Sequence, residues 1–145
     1  MGTNLIETKH MNDNVFIDTN ILIYFVSNDE PKKIIAKDIL IKEAINIISS
    51  QVIGEFVAVT RKKRILPSED IIRFANEFMD IFNFVLIGKD TIKFSFEIHR
   101  RYKFSSWDSL IIASALENDC KILYSEDMQH NQLIDRKLRI VNPFV

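Results

Sequence analysis

Cysteine occurs once in this chain, at Cys120, so no internal disulfide can form and the chain suits a reducing compartment. Glycine and proline are nearly as scarce, with three of each in 145 residues. That scarcity excludes a loop-rich or disordered scaffold and requires regular elements over most of the length. Neither sign of charge dominates, since 19 Lys and Arg against 20 Asp and Glu leave a formal net charge of −1. No global field therefore draws the chain to a polyanion, and any nucleic acid must be held by a local patch or through metal. The longest apolar runs, such as Ile21–Val26 and Leu110–Ala113, are far too short to span a bilayer, and the opening stretch lacks the apolar core of a secretory signal. The expected location is cytoplasmic, with no membrane partner.

What is present is core-forming material. Apolar residues make up 47% of the chain and include 11 phenylalanines, enough for one domain of ordinary size, expected over 14–145. Residues 1–13 are polar and patternless. They read either as a natural N-terminal extension or as a cloning-derived segment ahead of a start at Met11, and they carry no functional argument.

Short apolar runs alternate with helical patterns. Val15–Ile17 reads as a buried strand, and Asp18-Thr19-Asn20 as the start of a helix through Ile21–Val26. Pro31 suits the first turn of a second helix with apolar positions Ile34, Ile35, Ile39 and Leu40. Ile45–Ile48 is a strand candidate, and Ser49 or Ser50 caps a helix running to about Arg64. Pro67-Ser68-Glu69-Asp70 opens a helix to Phe82, followed by a strand at Phe84–Ile87. Thr91–Tyr102 fits strand alternation and helical i,i+4 pairing alike. Ser105 or Ser106 caps a helix over Trp107–Asn118, and Ile122–Tyr124 and Leu138–Val141 are the last strands. Strands separated by helices imply an α/β fold with crossover helices on both faces of a parallel sheet.

Ligands in such sheets sit beyond the carboxyl ends of the strands. Asp18 and Asp127 follow strands, while Glu55 and Asp108 lie near helix starts, so the topology brings all four toward one sheet edge. Four carboxylates there would raise one another's pKa unless a cation held them, and an all-oxygen donor set suits Mg²⁺ or Mn²⁺ rather than zinc. Each acid also has an ordinary explanation. Asp18 could be a plain N-cap, Glu55 a polar-face residue, Asp108 a first-turn dipole partner and Asp127 a loop residue.

The segments Val15-Phe16-Ile17-Asp18-Thr19-Asn20, Gln51-Val52-Ile53-Gly54-Glu55-Phe56 and Trp107-Asp108-Ser109-Leu110-Ile111-Ile112-Ala113-Ser114-Ala115 resemble the PIN domain. Leu123–His130 and Val141–Phe144 strengthen the likeness, which in order and spacing is greatest to single-domain VapC-type toxins and covers Asn14 to the end. The resemblance implies a three-layer sandwich around a parallel five-stranded sheet and makes Thr91–Tyr102 a helix. It also implies an acidic site holding one or two Mg²⁺ or Mn²⁺ ions. Asp18, Glu55, Asp108 and Asp127 would be its metal-binding and catalytic acids, supported by Thr19, Asn20 and Ser125. Glu126 competes with Asp127 for the fourth place.

Further implications are a metal-dependent endoribonuclease that leaves a 3′-hydroxyl and a 5′-phosphate, a small antitoxin partner and a homodimer. Arg61, Lys62, Lys63 and Arg64, together with Arg100 and Arg101, are candidate RNA contacts, although cations that end helices are also commonly just solvated. Alternatives are a stand-alone PIN nuclease without antitoxin, or a PIN-like module that binds RNA or protein without cutting. A haloacid-dehalogenase-type phosphatase needs a second Asp two residues after the first, where this chain has Asn20. His99 and His130 read as ordinary surface histidines.

Overall fold

The computed structural model describes residues 13–42 and 44–145, so the segment 1–12, with its two readings, lies outside the described residues. Six strands form one sheet: β1 (Asn14–Ile17), β2 (Ile45–Ser49), β3 (Asn83–Val85), β4 (Cys120–Tyr124), β5 (Leu133–Ile134) and β6 (Leu138–Val141). Six helices connect them: α1 (Thr19–Val26), α2 (Glu30–Ile41), α3 (Ser50–Lys62), α4 (Ser68–Ile81), α5 (Lys89–Tyr102) and α6 (Ser106–Glu117). The strand order is β3-β2-β1-β4-β6-β5, parallel throughout except for the β5–β6 pair.

Consecutive residues of β1 point to opposite faces, yet Val15, Phe16 and Ile17 are all fully buried. Helices must therefore cover both faces, which is why β1, β2 and β4 read as continuous apolar runs rather than alternating ones. Phe56 from α3 and Phe78 from α4 meet edge to face with ring centroids 5.3 Å apart, and Phe25 of α1 joins Phe78 at 6.0 Å. Phenylalanine thus seals the helix layer as its abundance suggests.

Local chemistry sets the helix starts. Ser49, rather than Ser50, caps α3 by accepting from the Val52 N–H at 3.3 Å. Ser105, rather than Ser106, caps α6 by accepting from the Asp108 N–H at 3.1 Å. Ser50 instead accepts from the Ile87 N–H at 3.0 Å. That bond takes residue 87 out of the sheet ladder, so the strand expected over Phe84–Ile87 occupies Asn83–Val85 and leaves Leu86 exposed. The ambiguous stretch Thr91–Tyr102 lies within α5. On α2 the buried stripe is Ala36, Ile39 and Leu40, and Ile34, expected on that face, points to solvent.

β5 adds a strand to the expected five. It is two residues long and joins β6 through a turn in which Asp135 and Arg136 both have positive φ and the Lys137 N–H donates to the Ile134 carbonyl at 2.9 Å. This is the backbone that tight hairpins require, normally built with Asn or Gly, and its residues here carry no such signature. Among the described residues, no helix is long and apolar enough to cross a membrane.

Candidate active site

β1 is the point where the sheet order reverses: the chain leaves it toward β2 and β3 on one side and returns to β4 and β6 on the other. The crevice beyond the carboxyl ends of β1 and β4 is therefore the expected ligand position. Register places Ile17 opposite Tyr124, so the next residues, Asp18 and Ser125, are neighbours by construction. Ser125 Oγ donates to Asp18 Oδ2 at 2.8 Å, the Thr19 N–H donates to Asp18 Oδ1 at 2.7 Å, and the Asp18 N–H donates to the Tyr124 carbonyl at 3.1 Å. Asp18 thus caps α1 and also presents a buried carboxylate at the crevice floor.

Three more acids join it along one cleft of ≈ 560 Å³, whose walls include Asp18, Glu55, Asp108 and Asp127. Glu55, on the first turns of α3, is held at both oxygens: Thr19 Oγ1 donates to Oε2 and Gln51 Nε2 donates to Oε1, each at 2.9 Å. Asp108 sits on the first turn of α6, where the helix dipole favours its charge. Asn20 Nδ2 donates to Asp127 Oδ2 at 3.3 Å. Thr19, Asn20 and Ser125 each therefore touch one of the four acids.

The electrostatics match a cluster of like charges. Burial pushes the Asp18 carboxyl up to about 6, the Ser125 and Thr19 hydrogen bonds hold it back, and the charges of Glu55 and Asp108 push it further. Asp108 is raised by burial, eased by Ser105, and raised again by Asp127 and Glu55. None of the four acids forms a salt bridge among the described residues.

Glu126 lines the same cleft but is engaged by other groups. Lys32 Nζ donates to its Oε2 and Tyr24 Oη to its Oε1, both at 2.6 Å. Burial works against the Glu126 charge, but these two bonds outweigh it and hold the carboxyl below the ordinary range. Asp127 rather than Glu126 is the acid that couples to Asp108. Lys32 also lies 4.6 Å over the Tyr24 ring, and Tyr24, which lines the cleft, meets Phe144 edge to face at 4.9 Å.

The two basic runs separate. Lys62 and Lys63 line the cleft, whereas Arg61 and Arg64 do not. Arg100 pairs with Glu97 and Arg101 with Asp135, whose carboxylate also accepts from Tyr102 Oη. His99 Nδ1 lies 2.6 Å from the Phe104 carbonyl, and His130 Nδ1 accepts from the Asn142 N–H.

Three residues with no role assigned from sequence shape the site. Gln51 bridges Glu55 and the Trp107 carbonyl, at 2.9 and 3.2 Å, and its i,i+4 spacing to Glu55 was a readable signal. Tyr24 and Lys32 hold Glu126 from positions 102 and 94 residues away in the chain, a relation that no local pattern announces.

Among the described residues, the donor set of the cleft is carboxylate oxygens with hydroxyl and amide support, and no histidine or thiol lines it. That chemistry fits Mg²⁺ or Mn²⁺. Among the described residues, no three acidic, histidine or cysteine side chains stand ready at ligating separation. The acids line the cleft without forming a closed cage.

A family model described as PIN domain matches residues 15–134. No curated protein sequence matches the chain. Among solved structures, the Mycobacterium tuberculosis VapC20 toxin, described as cleaving the Sarcin-Ricin loop, superposes with a TM-score of 0.66 at 16% identity, over 78% of this chain and 89% of that one. A toxin–antitoxin complex from Klebsiella pneumoniae gives 0.66 at 24% identity, over 89% and 97%. VapBC2 from Rickettsia felis, bound to a DNA fragment from its promoter, gives 0.66 at 18% identity, over 89% and 99%.

Proposed function

We propose that this chain, which belongs to the PIN domain family, is a divalent-metal-dependent endoribonuclease and the toxin of a toxin–antitoxin pair. The observation that carries the reading is the convergence of Asp18, Glu55, Asp108 and Asp127 on one cleft at the switch point of the sheet. Four mutually repelling carboxylates without salt-bridge partners are costly unless a cation compensates them. The same acids, placed after β1, on α3, on α6 and in the loop after β4, have no shared structural task.

Asp18 and Asp108 would hold Mg²⁺ or Mn²⁺, one ion or two, with Glu55 and Asp127 completing the site directly or through water. When bound, such an ion makes water more acidic and offsets charge on phosphate oxygens. The chain's own residues fix the geometry. Ser125 and the Thr19 N–H orient the two oxygens of Asp18, while Thr19 Oγ1 and Gln51 orient those of Glu55. Asn20 holds Asp127, and Lys62 and Lys63 at the cleft wall can contact phosphates flanking the cut. Because water rather than the ribose 2′-oxygen attacks, the products are a 3′-hydroxyl and a 5′-phosphate.

The domain spans 14–145 and works in the cytoplasm as a homodimer bound by a small antitoxin. The solved toxin–antitoxin complexes of the same fold support that setting. The test is incubation with a mixed RNA pool and Mg²⁺ or Mn²⁺ beside an Asp18→Asn control. Cleavage by the wild type alone, with 5′-phosphate ends, supports the reading. A 2′,3′-cyclic phosphate product, or full activity in a folded Asp18→Asn protein, overturns it.

A further inference from the structure

Beside the acidic cleft lies a second groove of ≈ 560 Å³, lined by Ser50, Gln51, Gly54, Glu55, Ile87, Trp107 and Leu110. We propose that this groove is a nucleobase-binding subsite, in which an unpaired base next to the scissile phosphate stacks on Trp107. The proposal rests on the ribonuclease reading and extends it to the form of the RNA taken, a single-stranded segment whose base can be turned out.

Several observations carry it. The groove and the cleft share Gln51 and Glu55, so whatever fills the groove lies one side chain away from the acids. Trp107, the chain's only tryptophan, is the residue before Asp108 and is 68% exposed on the first turn of α6. Its carbonyl accepts from the same Gln51 amide that holds Glu55, which ties the backbone bearing the indole to the acid cluster. An aromatic face held at that place is what base stacking uses, because every base has a π-face.

Charge divides the two cavities in the same sense. The groove has no cation among its lining residues, whereas Lys62 and Lys63 line the cleft. A nucleotide chain laid across both would keep its phosphates with the lysines and place its uncharged part in the groove. Gln51 adds an unmet acceptor at the seam, since its Oε1 is buried without a hydrogen-bond partner.

Gly54 adds to these. It lies within the first turns of α3, does not adopt positive φ, and a Cβ built there meets nothing within 4 Å. The fold itself would accept alanine, a better helix former. Its missing side chain leaves the groove floor open for something the chain does not contain.

The lone tryptophan makes the test direct. Wild-type protein in EDTA, where cleavage is blocked, is titrated with a short single-stranded oligoribonucleotide while indole emission is followed. A second titration uses an abasic ribose-phosphate oligomer of equal length. The expected result is quenching of the wild-type indole by the RNA and none by the abasic chain; affinities of the indole-free variants, read by anisotropy of a fluorescein-labelled oligoribonucleotide, fall about tenfold or more in Trp107→Ala and largely recover in Trp107→Phe. Gly54→Leu, which fills the floor while keeping the helix, should weaken RNA binding without lowering the melting temperature.

Equal affinity in wild type and Trp107→Ala with no change in emission overturns the subsite, even where the RNA is cut normally. Quenching and binding without any cleavage on adding Mg²⁺ or Mn²⁺ sustains the subsite and sinks the nuclease reading instead. Blue-shifted wild-type emission that tracks self-association in sedimentation, with that self-association itself lost in Trp107→Ala, would assign the groove to a second copy of the chain and likewise overturn the proposal.

Discussion

The charges of the cleft and those at the end of α5 began with the same local chemistry and were treated oppositely by the fold. At the end of α5, Arg100 and Arg101 are matched by Glu97 and Asp135, and burial plays little part. In the cleft, four acids share one space without a salt bridge among the described residues, and Lys62 and Lys63 stand on its wall with none either. Where charge is neutralised in place, the surface is finished. Where it is kept unbalanced at a strand end, binding of something charged is the economical explanation. Glu126 sharpens the contrast, because it lies beside Asp127 in sequence yet belongs to the neutralised class through Lys32.

The largest effect should fall on the unbalanced side. Asp18→Asn is expected to lower RNA cleavage by more than a hundredfold, since even outer partners of a metal site are worth about ten- to a hundredfold. The folded state should survive, as judged by circular dichroism, because asparagine can still cap α1. Equal activity would erase the distinction between the two regions.

Next comes pH. The folded metal-free protein favours protonated Asp18, so the stability from this group is complete below its ordinary value of 3.8 and is lost as pH rises through about 6. The shift corresponds to about 3 kcal/mol. Denaturant titrations between pH 4 and 7 should show that decline, Asp18→Asn should remove it, and Mg²⁺ should oppose it by favouring the ionised form.

The two basic runs give the third test. Lys62→Ala and Lys63→Ala should each reduce the salt slope of RNA binding by about 1, whereas Arg100→Ala and Arg101→Ala should leave it nearly unchanged. Equal slopes for both pairs would show that the ion pairs of α5 open on RNA binding.

The smallest effect concerns a feature the runs share. Arg64 and Lys103 follow their helices with φ of 53° and 65°, a left-handed backbone that glycine adopts without strain. After allowance for glycine's greater unfolded-state freedom, Arg64→Gly and Lys103→Gly should each stabilise by about 0.5–1 kcal/mol in thermal melts.

Much of the fold was legible from residue patterns. Val15–Ile17 and Ile122–Tyr124 announced buried parallel strands because both faces of each are apolar, and Ser49, Ser105 and Pro31 marked helix starts through short-range hydrogen bonding and a fixed φ. Thr91–Tyr102 was not legible alone, since its residues satisfy both periodicities, and likeness to a family rather than propensity made it a helix. β5 escaped because two residues show no period and its turn uses Asp135 and Arg136 where Gly or Asn would signal. In the candidate site, Asp18, Glu55, Asp108 and Asp127 were suggested by position relative to strands and helix starts and singled out by likeness to a family, while Gln51 was passed over although it lies four residues before Glu55.

By itself, the order of residues determined where strands and helices form, which acids follow strand ends, and that the fold is α/β, because these depend on contacts within a few residues. Only the tertiary structure decided that Glu126 pairs with Lys32 while Asp127 stays without a salt bridge, that among the described residues Lys62 and Lys63 form none while Arg100 and Arg101 do, and that Trp107 borders an open groove. Those outcomes depend on charges and walls brought from distant parts of the chain, and the Coulomb and packing energies that select among them act through space rather than along the backbone.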